Sequence, residues 1–272
     1  MKKYKRLLLM AGLVSLVVVL SACGTGEVNA QSTGVWNTIV YAFAQAIEFL
    51  SFGNIGIGII LFTLIIRLIL LPLMHYQTKS MRKTQELQPK LKALQQKYSS
   101  KDPETQSKFR EEQQRLYAEN NVNPYAGCLP LLVQMPILMA LWQAISRVPE
   151  LKQGEFLWLN LGQPDPTFIL PILAAIFTFA STYLSSMSQL DSNPTTKIMS
   201  FAMPVMILVM GVNLASGLSL YWVVSNAFQV VQTLLINNPF KIRKEREEIA
   251  QRERDRERAL KKAQTPKKKR KK

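Results

Sequence analysis

Long apolar runs alternate with short polar stretches along most of the chain. The apolar runs span roughly 15–22 residues, about the length that an α-helix needs to cross the hydrocarbon core of a bilayer. In lipid, each segment must satisfy its own backbone hydrogen bonds, which a helix does. The pattern therefore predicts an all-α polytopic membrane protein with a core of five transmembrane helices. The predicted spans are 56–75, 128–146, 168–186, 198–212 and 218–236.

The first apolar run is shorter than the others and ends at a cysteine. Basic residues among positions 2–6 precede the apolar stretch 7–20, and a Leu-Ser-Ala-Cys sequence that ends at Cys23 follows. This order is typical of a secretory signal peptide, here 1–22. Its ending resembles the bacterial lipobox, in which the cysteine receives a diacylglyceryl group. An uncleaved anchor with an incidental cysteine is the alternative, and both interpretations start the mature chain outside the membrane.

The segment between Cys23 and the first span contains two parts. Residues 23–34 are rich in small and polar residues and read as a lipidated tether. Apolar side chains then recur at helical spacing from Trp36 to Leu50, with Asn37, Gln45 and Glu48 elsewhere on the wheel. This pattern predicts an amphipathic helix over 35–51 on the extracytoplasmic surface.

Charged residues in the loops predict the orientation of the spans. Loop 76–125 carries 10 basic and 6 acidic residues, whereas loop 148–167 has three acidic residues against Lys152. The tail 241–272 holds 16 Lys and Arg against 6 acidic residues, so most of the chain's formal charge of +16 lies there. Basic loops stay in the cytoplasm. We therefore expect a multi-pass plasma membrane protein with a lipid-anchored N-terminus outside and a cytoplasmic C-terminus.

The basic loop 76–125 has a helical pattern of its own. Asp102 is suited to an N-cap and Pro103 to a first helical turn, so a second helix begins there. We expect a cytoplasmic helical hairpin, with a solvated loop of fraying helices as the alternative. The apolar stripe of its first helix consists of Leu87, Leu91, Leu94 and Tyr98.

Arg67 interrupts the most apolar stretch of the mature chain. A charged side chain at such depth costs roughly 2.5–3.5 kcal/mol on insertion scales and normally marks an interior site or a water-filled cavity. The alternative is that its long stem reaches the headgroups. With the span ending near His75, however, Arg67 lies about 12 Å deep at 1.5 Å per residue.

Other polar residues fall at similar depths in neighbouring spans. They share helix faces at i, i+3, i+4 and i+7 spacings and could meet Arg67 in the cytoplasmic half of the bilayer. The alternative is that they only join helices to one another, at about 0.6 kcal/mol each. We expect a water-filled groove that opens inward and is sealed outward. Its predicted residues are Arg67, Thr63, Gln134, Asn226, Gln229 and Thr233.

The start of the second span carries a specific motif. Asn123-Pro124-Tyr125-Ala126-Gly127-Cys128-Leu129-Pro130, followed by Gln134-Met135-Pro136, resembles the signature of the YidC/Oxa/Alb membrane protein insertase family. The arginine in the preceding span, the charged hairpin, the five spans and the basic tail are similar as well. The lipobox and the lack of a large extracytoplasmic domain resemble the shorter Gram-positive lipoprotein branch. The resemblance covers residues 36–240.

The resemblance implies a membrane protein insertase and chaperone. It implies that Arg67 is the positive residue of a hydrophilic groove for nascent membrane proteins. It also implies that the hairpin is a recruitment or regulatory element. The resemblance further implies that the protein acts alone or with the Sec translocon, and that its tail contacts the ribosome. The run Lys267 to Lys272 suits ribosomal RNA or anionic lipids equally, with binding that weakens in salt.

A small-solute transporter or channel that uses Arg67 as its substrate site is the rival function. Transporters commonly contain internal repeats, and none is found among the five spans. An enzyme is not expected, because the sequence has no HExxH motif, no phosphate loop and no paired intramembrane carboxylates. The single histidine, His75, and the two cysteines offer no metal site, and no cofactor is expected.

Overall fold

The chain folds into helices joined by short connections, with two very short strands among the described residues. The fold comes from a computed structural model that describes residues 26–100, 102–123, 129–187, 194–236 and 238–264. The helices are α1 (Val35–Phe49), α2 (Ile55–Glu86), α3 (Gln88–Lys97), α4 (Pro103–Glu119), α5 (Leu129–Arg147), α6 (Pro149–Lys152), α7 (Ile169–Met187), α8 (Pro194–Gly211), α9 (Ser216–Ile236) and α10 (Pro239–Gln264). The strands are β1 (Glu155–Phe156) and β2 (Leu159–Asn160), paired antiparallel.

Some predicted features lie outside the described residues. These are the signal peptide 1–22, the lipidation site Cys23, residues 124–128 of the motif before α5, and the terminal lysine run 267–272. Each of them stays a prediction.

Each of the five predicted spans coincides with a helix, namely α2, α5, α7, α8 and α9. Within the described residues, three segments are long and apolar enough to cross a membrane: Ile55–Glu86, Ile169–Met187 and Ser216–Lys261, the last of which contains α9. Ser200–Gly211 in α8 is a shorter apolar helix. In the bundle, α8 packs on α7, α7 on α9, and α9 on α2.

Helix α2 is longer than its predicted span. Asn54 caps its start by accepting hydrogen bonds from Gly56 N at 3.1 Å and Ile57 N at 3.4 Å. The sequence predicted that the span ends at 75 and the hairpin begins at 76, but the helix continues unbroken to Glu86. The reason is that no glycine or proline lies between His75 and Glu86. At 32 residues the helix is about 48 Å long, which exceeds the hydrocarbon thickness of about 30 Å.

The apolar core lies at one end of the bundle, which we call the α1 end. Helix α1 packs across α2 and α5 there, and Ile47, Ile59 and Leu141 are completely buried between them. Gly58 permits the close approach of α1 to α2, because a Cβ at that position would lie 2.2 Å from the Ile47 carbonyl oxygen. The amphipathic helix expected over 35–51 is thus a packed part of the core.

The opposite end, which we call the hairpin end, carries α3, α4 and α10. Leu87 and Leu91 pack with Val122 against α4, where Leu116 contacts them. Asp102 accepts a hydrogen bond from Thr105 N at 2.8 Å and caps α4, and Pro103 occupies its first turn. Pro89 lies in the first turn of α3, which explains why α2 ends just before it. The predicted tail 241–272 begins inside α10.

Asp165 organises the connection between the β-hairpin and α7. Its buried carboxylate accepts hydrogen bonds from Thr167 N at 2.9 Å, Thr167 Oγ1 at 2.7 Å, Leu170 N at 2.8 Å and Trp158 Nε1 at 3.3 Å. Burial raises the pKa of this carboxyl group, but the hydrogen bonds from Leu170 and Thr167 outweigh it and leave the pKa below its ordinary value. Ionised Asp165 therefore stabilises the start of α7.

We predict that Asp165→Asn lowers the thermal midpoint of the purified protein in detergent. The amide cannot accept from Leu170 and Thr167 at once through two oxygens, so about 1–3 kcal/mol is lost. Glu155→Gln, at an exposed carboxylate in β1, is the control and should unfold like the parent.

The pH dependence follows from the lowered pKa. Because the folded-state pKa lies below the unfolded value of about 3.9, the contribution of Asp165 is complete above that value and disappears as pH falls through the folded pKa. The difference in midpoint between parent and Asp165→Asn should thus narrow only in acid. A difference that is equally large after acidification would contradict the assignment.

Candidate functional site

The guanidinium of Arg67 is directed at helix α9. Its Nε donates a hydrogen bond to Ser225 Oγ at 2.9 Å, and Nη2 donates to the same oxygen. Nη1 donates to Gln229 Oε1 at 3.4 Å. The half-buried side chain is therefore bound to a neighbouring helix.

One face of α9 supplies these partners. Tyr221, Ser225, Gln229 and Thr233 recur every four residues, so they lie above one another along the helix. Tyr221 and Ser225 are almost fully buried. The Tyr221 hydroxyl accepts a hydrogen bond from Gln134 Nε2 on α5. Helices α2, α5 and α9 are thus joined by polar contacts along a single face.

The structure places the predicted groove residues in two groups. Gln229 contacts Arg67 directly, and Thr233 donates to Gln229 O at 2.8 Å and accepts from Gln229 Nε2 at 3.5 Å. Gln134 reaches the same face of α9 through Tyr221. By contrast, Thr63 donates to Ile59 O at 2.6 Å and Asn226 to Trp222 O at 2.9 Å, each within its own helix. Thr63 and Asn226 therefore do not hydrogen-bond to Arg67.

Sequence reasoning missed Ser225 and Tyr221. Serine and tyrosine are unremarkable in an apolar helix, so neither residue stands out by composition. The available signal was the spacing, because Ser225 and Tyr221 precede Gln229 by four and eight residues. A search for polar groups in register with Gln229 would have found both.

Arg67 has only neutral hydrogen-bond acceptors in the described structure. The ion pairs of the described residues all lie on α4 and α10, and none includes Arg67. The hydroxyl of Ser225 and the amide of Gln229 hold the guanidinium in place without cancelling its charge. The site therefore keeps a positive charge that can attract an acidic group.

A cavity lies near Arg67 on its hairpin side. It has a volume of about 240 Å³ and lies among α2, α7, α9 and α10. Ser185 of α7 and Ile242 of α10 are on its wall. Gln229 lines this cavity and also accepts a hydrogen bond from Arg67, so a single side chain links the two features. The uncharged polar residues that α2 and α9 contribute are Gln77, Thr78, Gln85, Gln229, Gln232 and Thr233, and α2 also contributes Arg82, Met74 and Met81.

The helices have a different character on the other side of Arg67. Toward the α1 end, Ile59, Phe62, Ile145 and Leu218 are buried in the apolar core. The cavity therefore lies on the hairpin side of Arg67, whereas on the other side the helices pack closely around a mainly apolar core that also buries Thr63, Ser219 and Tyr221. We call Arg67, its partners on α9 and this cavity the Arg67 groove.

A bundle of helices that are apolar and long enough to cross a membrane, with an arginine held between them, defines a polytopic membrane protein. Comparison with known proteins agrees. The chain matches the model of the 60Kd inner membrane protein family over residues 47–245. The chain belongs to this family, which confirms the resemblance found in the sequence and the all-α polytopic fold.

Two curated relatives are similar over nearly their full lengths. The membrane protein insertase YidC of Enterococcus faecalis is 77% identical over 271 residues, which cover 99% of this chain and 98% of the relative. The membrane protein insertase YidC 1 of Lactococcus lactis is 57% identical, with 97% and 99% covered.

A solved structure is also similar. It is described as an active YidC insertase crystal structure with the first transmembrane domain resolved, and it superposes with a TM-score of 0.57 at 32% identity. The similarity covers 75% of this chain and 47% of that chain. The chain thus corresponds to about half of that larger protein.

We predict strong energetic coupling between Arg67 and Ser225. A double-mutant cycle with Arg67→Met and Ser225→Ala, followed by thermal or denaturant unfolding in detergent, should give a coupling energy of about 1.5–3 kcal/mol, because a buried hydroxyl accepts from a charged group. The matched control is Ser219→Ala, whose buried hydroxyl has no hydrogen-bond partner in the described structure. Ser219→Ala should be additive with Arg67→Met. A Ser225 cycle that is equally additive would contradict the geometry.

Proposed function

We propose that the chain is a membrane protein insertase that receives the polar leading segment of a client in the Arg67 groove and so assists its insertion and folding. Membership of the family and the names of the relatives support the activity. They give no support to a small-solute transporter. The observation that carries the mechanism is the Arg67 guanidinium, held inside the bundle by neutral acceptors, of which Gln229 also lines the cavity.

The groove lowers the free-energy barrier to insertion of the client and supplies no driving force of its own. A polar segment that crosses hydrocarbon unaided loses its water and pays several kcal/mol for each unsatisfied group. A polar recess that reaches Arg67 shortens the apolar distance that the segment must cross. The driving force is burial of the client's apolar helix, on the order of 25 cal/mol per Å², with the membrane potential acting on acidic segments.

The proposal includes an orientation. We place the hairpin end and α10 in the cytoplasm and the α1 end outside, with Cys23 lipidated. The charge of the loops supports this, because loop 76–125 and the tail 241–272 are basic whereas loop 148–167 is acidic. In this orientation the Arg67 groove opens to lipid and to the cytoplasm, and the cytoplasm is where clients are synthesised.

The partners follow from the same orientation. Nascent membrane proteins are the substrates, delivered either directly or beside the Sec translocon. Helix α10 is largely exposed and strongly charged, with an exposed Arg243–Glu247 ion pair at 2.8 Å. Such a helix, followed by the lysine run 267–272, suits the ribosome or anionic lipids. The exposed hairpin of α3 and α4 is suited to recruitment.

We predict that Arg67→Ala reduces insertion of clients whose leaders are acidic and poorly hydrophobic. The positive charge attracts the acidic leader into the recess, so its loss should lower insertion several-fold. Arg67→Lys keeps the charge and should be largely tolerated. The measurement is protease protection of a client inserted into liposomes that contain the purified variant.

A client with a neutral leader of equal length is the matched control and should depend little on Arg67. Normal insertion of the acidic client by Arg67→Ala would contradict the mechanism. Flux of small solutes through the same liposomes would instead favour a transporter.

A further inference from the structure

The described chain begins with a segment that is docked on the end of α5. Val28 is 1% exposed and belongs to the apolar core of the α1 end. Its N–H donates a hydrogen bond to the Arg147 carbonyl oxygen at 3.0 Å. Residues 26–28 therefore follow a fixed course across the last turn of α5, although residues 23–34 have the small, polar composition of a tether.

Arg147 holds this segment through its side chain as well as its main chain. Its Nε donates a hydrogen bond to the Gly26 carbonyl oxygen at 2.7 Å, and its Nη1 donates to Gln143 Oε1 at 2.5 Å. Gln143 Oε1 also accepts from Trp36 Nε1 of α1 at 3.2 Å. The last turn of α5 thus joins residues 26–28 to α1 in one network. We call Arg147, Gln143 and the docked residues 26–28 the Arg147 clamp.

Contacts of this kind are unusual close to the start of a mature chain. Ordering a terminal segment costs conformational entropy, and most termini stay poorly ordered unless specific contacts hold them. Here the contacts come from a buried valine and a charged donor, whose hydrogen bonds are stronger than those between neutral groups. The clamp also fixes the place from which the preceding residues start. Cys23, the predicted lipidation site, is three residues before Gly26.

The length of the chain limits the distance between Cys23 and the clamp. Three residues span at most about 11 Å, at up to about 3.6 Å per residue. This is close to the diameter of one helix with its side chains, about 10–12 Å. A free tether from Cys23 to Gly34 would instead allow about 40 Å. A diacylglyceryl group on Cys23 therefore enters the outer leaflet next to the end of α5.

A large apolar side chain is exposed next to the clamp. Trp142 of α5 is 44% exposed and directly precedes the buried Gln143 of the clamp. It lies five residues before Arg147, about 7.5 Å along the helix, and tryptophan favours the interface between headgroups and acyl chains. Free lipid is the competing occupant of this surface. Acyl chains on Cys23 have the advantage of a high effective concentration, because the linker is short.

We propose that Arg147 is a positioning residue for the lipidated N-terminus, and that the acyl chains on Cys23 pack against Trp142 at the outer end of α5. This inference rests on the orientation and on the lipidation of Cys23 in the proposed function, and it does not involve the Arg67 groove. The lipid anchor is then a fixed part of the α1 end. It holds residues 26–28, and with them the start of α1, against α5.

The docking is tested by thiol labelling from the outside. In a Cys128→Ser background, Val28→Cys should react with a membrane-impermeant maleimide at least tenfold more slowly than Gln31→Cys, because Val28 is buried and Gln31 is exposed. Adding Arg147→Ala should remove most of this protection. The background protein without an engineered cysteine measures labelling of Cys23 itself. Equal labelling of positions 28 and 31, or full protection of position 28 after Arg147→Ala, would overturn the clamp.

The placement of the acyl chains is tested in protein that retains Arg147. A photocrosslinking amino acid in place of Trp142 should form crosslinks to the acylated N-terminal peptide, detected by mass spectrometry. The matched control is Ile172, which is 47% exposed near the start of α7, a helix that packs mainly on α8 and α9. Position 172 should give several-fold fewer such crosslinks. Equal yields from both positions, or crosslinks from position 142 to free phospholipid alone, would overturn the proposal.

The outcomes separate this inference from the proposed function. If positions 142 and 172 crosslink equally while Arg67→Ala fails with the acidic client, the placement of the anchor is excluded and the insertase mechanism stands. If position 142 alone reaches the acylated peptide while Arg67→Ala inserts that client normally, the anchor is placed as proposed and the groove mechanism is excluded. An N-terminal peptide without acyl chains would overturn the inference together with the lipidation of Cys23.

Discussion

The hydrogen bonds between the Arg67 guanidinium and α9 are the interaction on which the rest of the site depends. They keep a charge inside an apolar bundle without an acidic partner, since Ser225 and Gln229 are neutral. An acidic partner would have offset the free-energy cost of burying the guanidinium more fully, but it would also have cancelled the positive charge. Neutral acceptors hold the side chain in place and leave its positive charge available to attract another group. Neutral acceptors therefore suit a site that attracts an acidic group, whereas an acidic partner would form an ion pair whose effect is limited to the stability of the fold.

The two ends of the bundle differ in how their side chains pack. At the α1 end, α1, α2 and α5 bury a continuous apolar core, closed by the Gly58 contact and by the Asp165 cap of α7. At the hairpin end, α2, α7, α9 and α10 surround a cavity. Close apolar packing is therefore concentrated at the α1 end, and the hairpin end contains the cavity. Such a distribution is expected of a protein that must admit polar segments without becoming a pore.

Sequence patterns predicted the helices better than their ends and their rotation. Hydropathy and run length are sufficient to find spans, so all five predicted spans lie on helices. They do not reveal that α2 continues to Glu86, because a polar helix beyond a membrane has no hydrophobic signal. Depth in the span identified Gln229 and Gln134, but it could not tell that Thr63 and Asn226 donate to their own helices. Gln77 escaped notice because it lies past the predicted end of the first span.

The central claim is that water from the hairpin end reaches the depth of Arg67, and it is tested most directly by cysteine labelling. In a Cys128→Ser background, Gln229→Cys and Leu220→Cys place thiols on α9 beside Arg67 and in the apolar core, respectively. A water-soluble maleimide added to the cytoplasmic face of membrane vesicles should modify the Gln229→Cys protein and leave the Leu220→Cys protein unmodified. Equal protection of both positions would contradict the account, because the groove would then be dry.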